Sequence, residues 1–359
     1  MNWLLVFIPV ALALEHFGAA HPWVFFAAAL AIVPAAALIV RSTENIATYT
    51  GPTIGGLLNA SFGNAPELIV ALVALRAGLL DMVRASLIGG ILANLLLALG
   101  LAFLCGGLRH RTQTYNAAAA RLYGSMMLIA AFSLIVPSAF SRLLAPGETV
   151  RAEALLNFGL AAVLLVTYAL YLLFQLKTHP DEFVGQPGSL GDEAHHEVRW
   201  SLPRALASLL GASVLAAWMS EILVGAAQGT GEALGMSDVF IGVVFLAIVG
   251  GAAGPPAAVV MALRNKVDLS MGIALGAAIQ IALFVAPVLV IASVFIAPQP
   301  LELSFTRGEV GALFMGALIG AVVAGDGRSN WFKGVQLIAV YLIIALMFYF
   351  IPGTAESRP

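Results

Sequence analysis

The sequence predicts an all-α polytopic membrane protein of about eleven transmembrane helices, with one leading helix and two inverted five-helix repeats. Three observations carry this. Of the 359 residues, 61% are hydrophobic and 10% are charged, against about 25% charged in an ordinary soluble domain. Runs of about 20 apolar residues recur from Trp3 to Pro352, most long enough at about 1.5 Å per residue to cross a hydrocarbon core of about 30 Å. Two glycine-containing stretches, at 51–75 and 239–263, resemble each other and lie an odd number of spans apart.

Apolar runs and their breaks place the spans near 3–18, 22–40, 51–76, 84–107, 121–141, 153–176, 203–226, 236–263, 269–296, 306–325 and 331–352. The first has neither a basic leading region nor a clear cleavage site, so it reads as a membrane segment rather than a removed signal. The organisation is then a leading helix at 1–20, a first repeat at 22–176, a polar linker at 177–202, a second repeat at 203–352 and a tail at 353–359. The N-terminal side and the loops after even-numbered spans carry 11 of the 17 Lys and Arg residues. That asymmetry puts the N-terminus and linker in the cytoplasm and the C-terminus outside, in a bacterial inner or cell membrane.

The linker holds Asp181, Glu182, Asp192, Glu193, His195, His196 and Glu197 among Pro and Gly, and reads as a solvated loop. A net charge of -2 without a basic block excludes nucleic acid as a partner and leaves the lipid bilayer. Cys105, alone in an apolar run, excludes a disulfide scaffold and a thiolate cluster. There is no P-loop, dinucleotide glycine pattern or H-E-x-x-H, so neither enzyme chemistry nor a resident cofactor is expected. Oligomeric state leaves no mark in the sequence.

Two oppositely inserted copies are an architecture of alternating-access transporters, with the site near the midplane where helices are interrupted. Glu67 lies inside an apolar segment, where an ionised carboxylate facing lipid costs about 3 kcal/mol or more. It must face protein, water, an ion or a proton. In Gly63-Asn64-Ala65-Pro66-Glu67, Asn64 as N-cap and Glu67 three residues on form a capping box, with Pro66 in the first turn. The same break brings a carboxylate, an amide oxygen and freed carbonyls together as hard ligands suited to Ca²⁺, so Glu67, Asn64 and Gly63 are the candidate ion site.

Glu44 and Glu221 stand early in each repeat as candidate proton or gating groups. Asn59, Ser86, Asn94 and Gln280 lie on apolar spans as candidate supporting groups or interhelical hydrogen-bond partners. Asp326, in GDGRSN, reads as a turn residue. Gly55, Gly56, Gly63, Gly89, Gly90, Gly250, Gly251, Gly254, Gly272 and Gly276 suggest close helix contacts.

GPTIGGLLNASFGNAPELIVALVAL with SLIGGILANLLLALG, then LGMSDVFIGVVFLAIVGGAAGPPAAVVMALRNKVDLSMGIALGAAIQIALFVAPVLV and the closing SNWFKGVQLIAVYLIIALMFYFIP, resemble the calcium/proton exchanger (CAX) family. The resemblance spans nearly the whole chain. It implies eleven helices, two inverted five-helix repeats, exchange of Ca²⁺ for H⁺, and an ion site built from a Gly-Asn-Ala-x-Glu element in each repeat. The first element is present at Gly63 to Glu67. In the second, the family's amide falls on Ala252, its carboxylate on Pro255 and its imidazole on Pro256. That departure leaves a buried Ca²⁺ half neutralised, which implies lower affinity, altered cation selectivity or coupling, or a membrane partner that does not transport.

Overall fold

The computed structural model describes residues 2–140, 150–180 and 200–351, and not the side chains at 2, 51–54, 56, 59, 60, 150 and 151. The acidic linker residues and the side chain of Asn59 therefore lie outside the described residues. The chain is helical almost throughout. A short leading helix α1 (Phe7–His16) precedes α2 (His21–Phe62), α3 (Ala65–Arg76), α4 (Leu80–Leu92), α5 (Leu99–His110), α6 (Ala117–Ala139) and α7 (Val150–Leu173). Beyond the linker come α8 (Leu202–Leu234), α9 (Asp238–Phe240), α10 (Ala247–Gly250), α11 (Gly254–Leu263), α12 (Val267–Gln280), α13 (Ala286–Ile296), α14 (Arg307–Ala324) and α15 (Trp331–Phe350).

Among the described residues, eight helical stretches are long and apolar enough to cross a membrane, and nine when the bent pair 238–250 and 254–263 counts as one. The eleven expected spans differ from this at two places. Trp3–His16 is apolar but short. The expected span 51–76 is divided, its first part continuing α2 and its second forming the 12-residue α3.

Helical hydrogen bonding runs unbroken through α2, yet α2 is no straight rod. A Cβ on Gly55 would lie 3.0 Å from the Ala47 carbonyl oxygen, whereas residues eight apart on a straight helix are separated by about 12 Å. Leu58 likewise joins Leu38 in packing against the cluster of Ile46, Trp200 and Ala205. The chain folds back near residues 47–55, where Pro52 removes a backbone donor and glycines surround it. Just before this bend, Ser42 and Thr43 donate to the Leu38 and Ile39 carbonyls, which satisfies their hydroxyls without interrupting the helix.

Helices α2 and α8 pack antiparallel. Tyr49 donates to the Trp200 carbonyl at 2.6 Å, and the Trp200 N–H donates to Asn45 Oδ1 at 3.1 Å. At the opposite end His21 packs directly on Gly229. The stretch from α4 through α5 is central, 83% of its most apolar window buried, while α15 at 28% forms the rim. Rim side chains such as Ile343, Leu346 and Phe350 point outward, as lipid contact requires.

Among the described residues, π-type segments lie at Ala93–Ala98, Ile241–Leu246 and Ile281–Val285, and a further one at Phe174–Thr178 ends the helix that begins at Val150. Here α4 meets the 241–246 segment so closely that a Cβ on Gly89 would fall 2.0 Å from the Val243 carbonyl oxygen. Only glycine fits, because the obstacle is backbone. At one end of the bundle a short antiparallel ladder joins the halves, β1 (Thr112–Thr114) pairing with β2 (Arg328–Asn330). Asp326 Oδ1 accepts the Arg328 N–H at 3.2 Å, the local turn bond expected of it.

Candidate functional site

The site begins at the interruption between α2 and α3. Gly63 and Asn64 form a turn, α3 starts at Ala65, and Pro66 occupies its first turn, where a missing N–H costs no helix bond. The expected capping box is not formed. Asn64 makes no side-chain bond to the helix start, and its Nδ2 instead donates to the Ala277 carbonyl oxygen at 3.0 Å. Pro66 offers no N–H to cap, while Ala277 lies where α12 passes into its π segment and the Ile281 N–H is shared between the Ala277 and Ala278 carbonyls. The buried Asn64 amide therefore bonds across the two halves.

Glu67, on the first turn of α3, is half-buried and lines a cavity of about 20 Å³, room for about one water-sized occupant. Ser86 and Gly90 of α4 and Val70 and Ala71 of α3 form one side, and Leu246, Ala247, Ile281 and Val285 form the other. Glu67 is the single charged residue in this lining. Ser86 donates its hydroxyl hydrogen to the Val83 carbonyl, leaving its oxygen lone pairs free to accept.

The second interruption faces the first. Gly251, Ala252 and Ala253 form the turn between α10 and α11, bending the path by 59°. Pro255 and Pro256 fall in the first turn of α11, so they start a helix rather than break one. A Cβ on Gly250 would come to 3.1 Å from both Cα and Cγ of Glu67, and one on Gly251 to 3.5 Å from its Oε1. Asn94, buried in the 93–98 segment, donates Nδ2 to the Gly90 carbonyl at 3.0 Å. Its Oδ1 would lie 3.7 Å from a Cβ on Gly254.

The structure thus gathers Glu67, Ser86, Asn94 and the Gly250 to Gly254 turn, with Asn64 and Gly63 at the entrance to α3. Gln280 is buried three residues beyond Ala277 on α12 but does not line the cavity. Glu221 stands apart, exposed on α8 and 3.6 Å from Arg76 at the far end of α3. Glu44 is exposed on α2 before the fold-back. Gly276 has no neighbour that a Cβ would touch, so the close-contact expectation fails there, while Gly89 and Gly250 meet backbone. Sequence reasoning missed the Ala277 carbonyl and the apolar lining from the π segments, for which side-chain identity gives no signal. Among the described residues, no three His, Cys, Asp or Glu side chains stand together as a ready-made metal centre.

The profile described as "Sodium/calcium exchanger protein" matches residues 20–177 and again 204–350. The chain belongs to the sodium/calcium exchanger family. This exchanger is 40% identical to the Ca²⁺/H⁺ antiporter of Aphanothece halophytica, over 98% of its own length and 97% of that protein's. It is 41% identical to the Ca²⁺/H⁺ antiporter ChaA of Bacillus subtilis, with 89% of each covered. Among solved structures, it superposes on the selenium-substituted Ca²⁺/H⁺ antiporter YfkE with a TM-score of 0.80 at 34% identity, over 96% of this exchanger and 97% of that chain. It is an integral membrane protein of all-α polytopic fold.

Proposed function

We propose that this exchanger is a secondary active transporter trading Ca²⁺ for H⁺ by alternating access. The observation that carries the reading is the half-buried carboxylate of Glu67, the one charged group lining a one-occupant cavity between two interrupted helices. Carboxylate, hydroxyl, amide and carbonyl oxygens are the hard ligands that Ca²⁺ takes, and a carboxylate shut away from water accepts a proton as the alternative way to lose its charge. Glu67 is the ion and proton ligand, Asn64 and Gly63 shape the break, and Ser86 and Asn94 support it. Glu44 and Glu221 serve outside the cavity.

We read the architecture as a leading helix plus two inverted five-helix repeats, 22–176 and 203–352, joined by the linker at 177–202. Supporting this, one family profile matches twice, α2 and α8 pack antiparallel, and each half has an interrupted helix followed by one with a π segment. The N-terminus lies in the cytoplasm on the basic-residue count. The deciding experiment is uptake of radioactive calcium into proteoliposomes under an imposed pH gradient. Uptake that follows the gradient and collapses with a protonophore is the expected result, and uptake indifferent to the gradient refutes proton exchange.

A second reading, the same fold with altered cation selectivity or coupling, is favoured by the second turn. Gly251 to Pro256 contains no ionisable side chain.

A further inference from the structure

The cavity around Glu67 has charge on one side only. Among the described residues, what the second half contributes to the cavity lining and to the close approach on Glu67 and the neighbouring Asn94 amide is glycine backbone and aliphatic side chains, including Gly250, Gly251, Gly254, Leu246, Ile281 and Val285. The close approach of Gly250 to the Cα of Glu67 leaves no room for a side chain to bring charge from that position. Other carboxylates on these and neighbouring elements are placed elsewhere: Asp81 is exposed at the start of α4 beside Arg84, and Asp268 at the start of α12 accepts the Asn116 N–H. Glu221 is exposed beside Arg76, nine residues along α3 from Glu67, or about 13 Å of helix. Glu44 is exposed on α2. The side chains between 51 and 60 that the structure leaves undescribed belong to residues without formal charge.

We infer that the calcium-loaded site keeps one uncompensated positive charge, so that calcium movement through this exchanger is driven by the membrane potential. The inference rests on the exchange reading above and extends it from which ions move to how much charge crosses. A divalent ion beside one carboxylate has a net charge of one. Three neutral oxygens (Ser86, Asn94 and backbone) stabilise that charge by their dipoles but do not cancel it. In the reading above, the site returns with its carboxylate neutralised, so each cycle transfers one net positive charge. A second carboxylate would make the loaded site neutral and calcium movement indifferent to voltage.

The experiment uses the full-length protein in proteoliposomes, with the pH gradient held constant and the potential set by potassium gradients with valinomycin. Radioactive calcium accumulation at steady state is the readout. For one net charge, accumulation changes about tenfold for every 59 mV, rising as the interior becomes negative. Accumulation that does not change with voltage but still follows the pH gradient overturns this inference and leaves proton exchange standing. Absence of calcium uptake at every gradient and potential overturns the exchange reading and this inference together.

The variant Gly254→Glu supplies a carboxylate beside Asn94. Accumulation that becomes voltage-insensitive in this variant assigns the effect to the missing second charge. Accumulation that keeps the full tenfold response refutes that assignment. Should the variant fail to fold, the voltage response of the unaltered protein decides the question alone.

Discussion

Asn64 Nδ2 donates to the Ala277 carbonyl oxygen at 3.0 Å, joining the turn that precedes Glu67 to the helix whose π segment lines the opposite side of the cavity. The bond spans 213 residues of sequence. It makes the geometry of the first interruption depend on the second half of the chain.

Asn64→Ala removes that bond and leaves a carbonyl that still holds its helical partner. An interhelical side-chain bond in a membrane protein contributes about 0.6 kcal/mol. The variant should fold with a slightly lower thermal midpoint, measured by fluorescence-detected size exclusion in detergent. A loss of several kcal/mol would mean that Asn64 has partners beyond Ala277.

Glu67→Gln keeps the shape of the side chain and removes its capacity for charge. Ion-coupled proton flux, followed with a pH-sensitive dye trapped in proteoliposomes, should drop to the level of protein-free vesicles. Stability should hold or rise, since a neutral amide is cheaper to bury than a carboxylate. Flux equal to that of the unaltered protein would remove Glu67 from the ion path.

Gly250→Val tests the approach of the second half to Glu67. Its Cβ would stand 3.1 Å from backbone and side-chain carbons of Glu67, and overpacking of this kind costs about 1–3 kcal/mol. Transport should be lost while the protein still inserts. Gly89→Ala is the comparison away from the carboxylate: with a carbonyl 2.0 Å from the new Cβ, it should lower the yield of folded protein outright.

Asp326 gives a prediction in pH. Partial burial pushes its carboxyl up, but the hydrogen bond from Lys333, the Arg328 N–H and the Lys333 charge outweigh it and hold the carboxyl below the usual carboxylate range. A depressed folded value stabilises the protein above the unfolded value of 3.8, and that stabilisation is lost as pH falls through the folded value. Asp326 is largely exposed, so screening keeps the contribution below about 1 kcal/mol. Asp326→Asn should therefore lower the melting temperature slightly at pH 7, with the difference from the unaltered protein shrinking in strong acid. A difference that grows as pH falls would reverse the sign.

The break at Gly63 and Asn64 and the burial problem posed by Glu67 were legible in the sequence. Each depends on a residue type whose backbone or charge is exceptional. The capping box was misread because sequence spacing cannot distinguish a local N–H from a carbonyl 213 residues away. The fold-back within α2 was visible only as Gly and Pro at 51–56, which mark a bend without giving its direction. The π segments have ordinary apolar composition and left no trace. Glu221 looked equivalent to Glu44 by position, and its place beside Arg76 comes from the packing of α8 along α3.

The ladder of Thr112–Thr114 with Arg328–Asn330, the packing of His21 of α2 on Gly229 of α8 and the Asn64 bond fasten the two halves at residues outside 177–202. These contacts do not require the chain to be continuous from one half to the other. Two separately synthesised polypeptides, broken between 181 and 199, would still carry all of these contacts between them. The single chain is in this sense two unlike partners held side by side, one presenting the acid of Glu67 and the other glycine and proline.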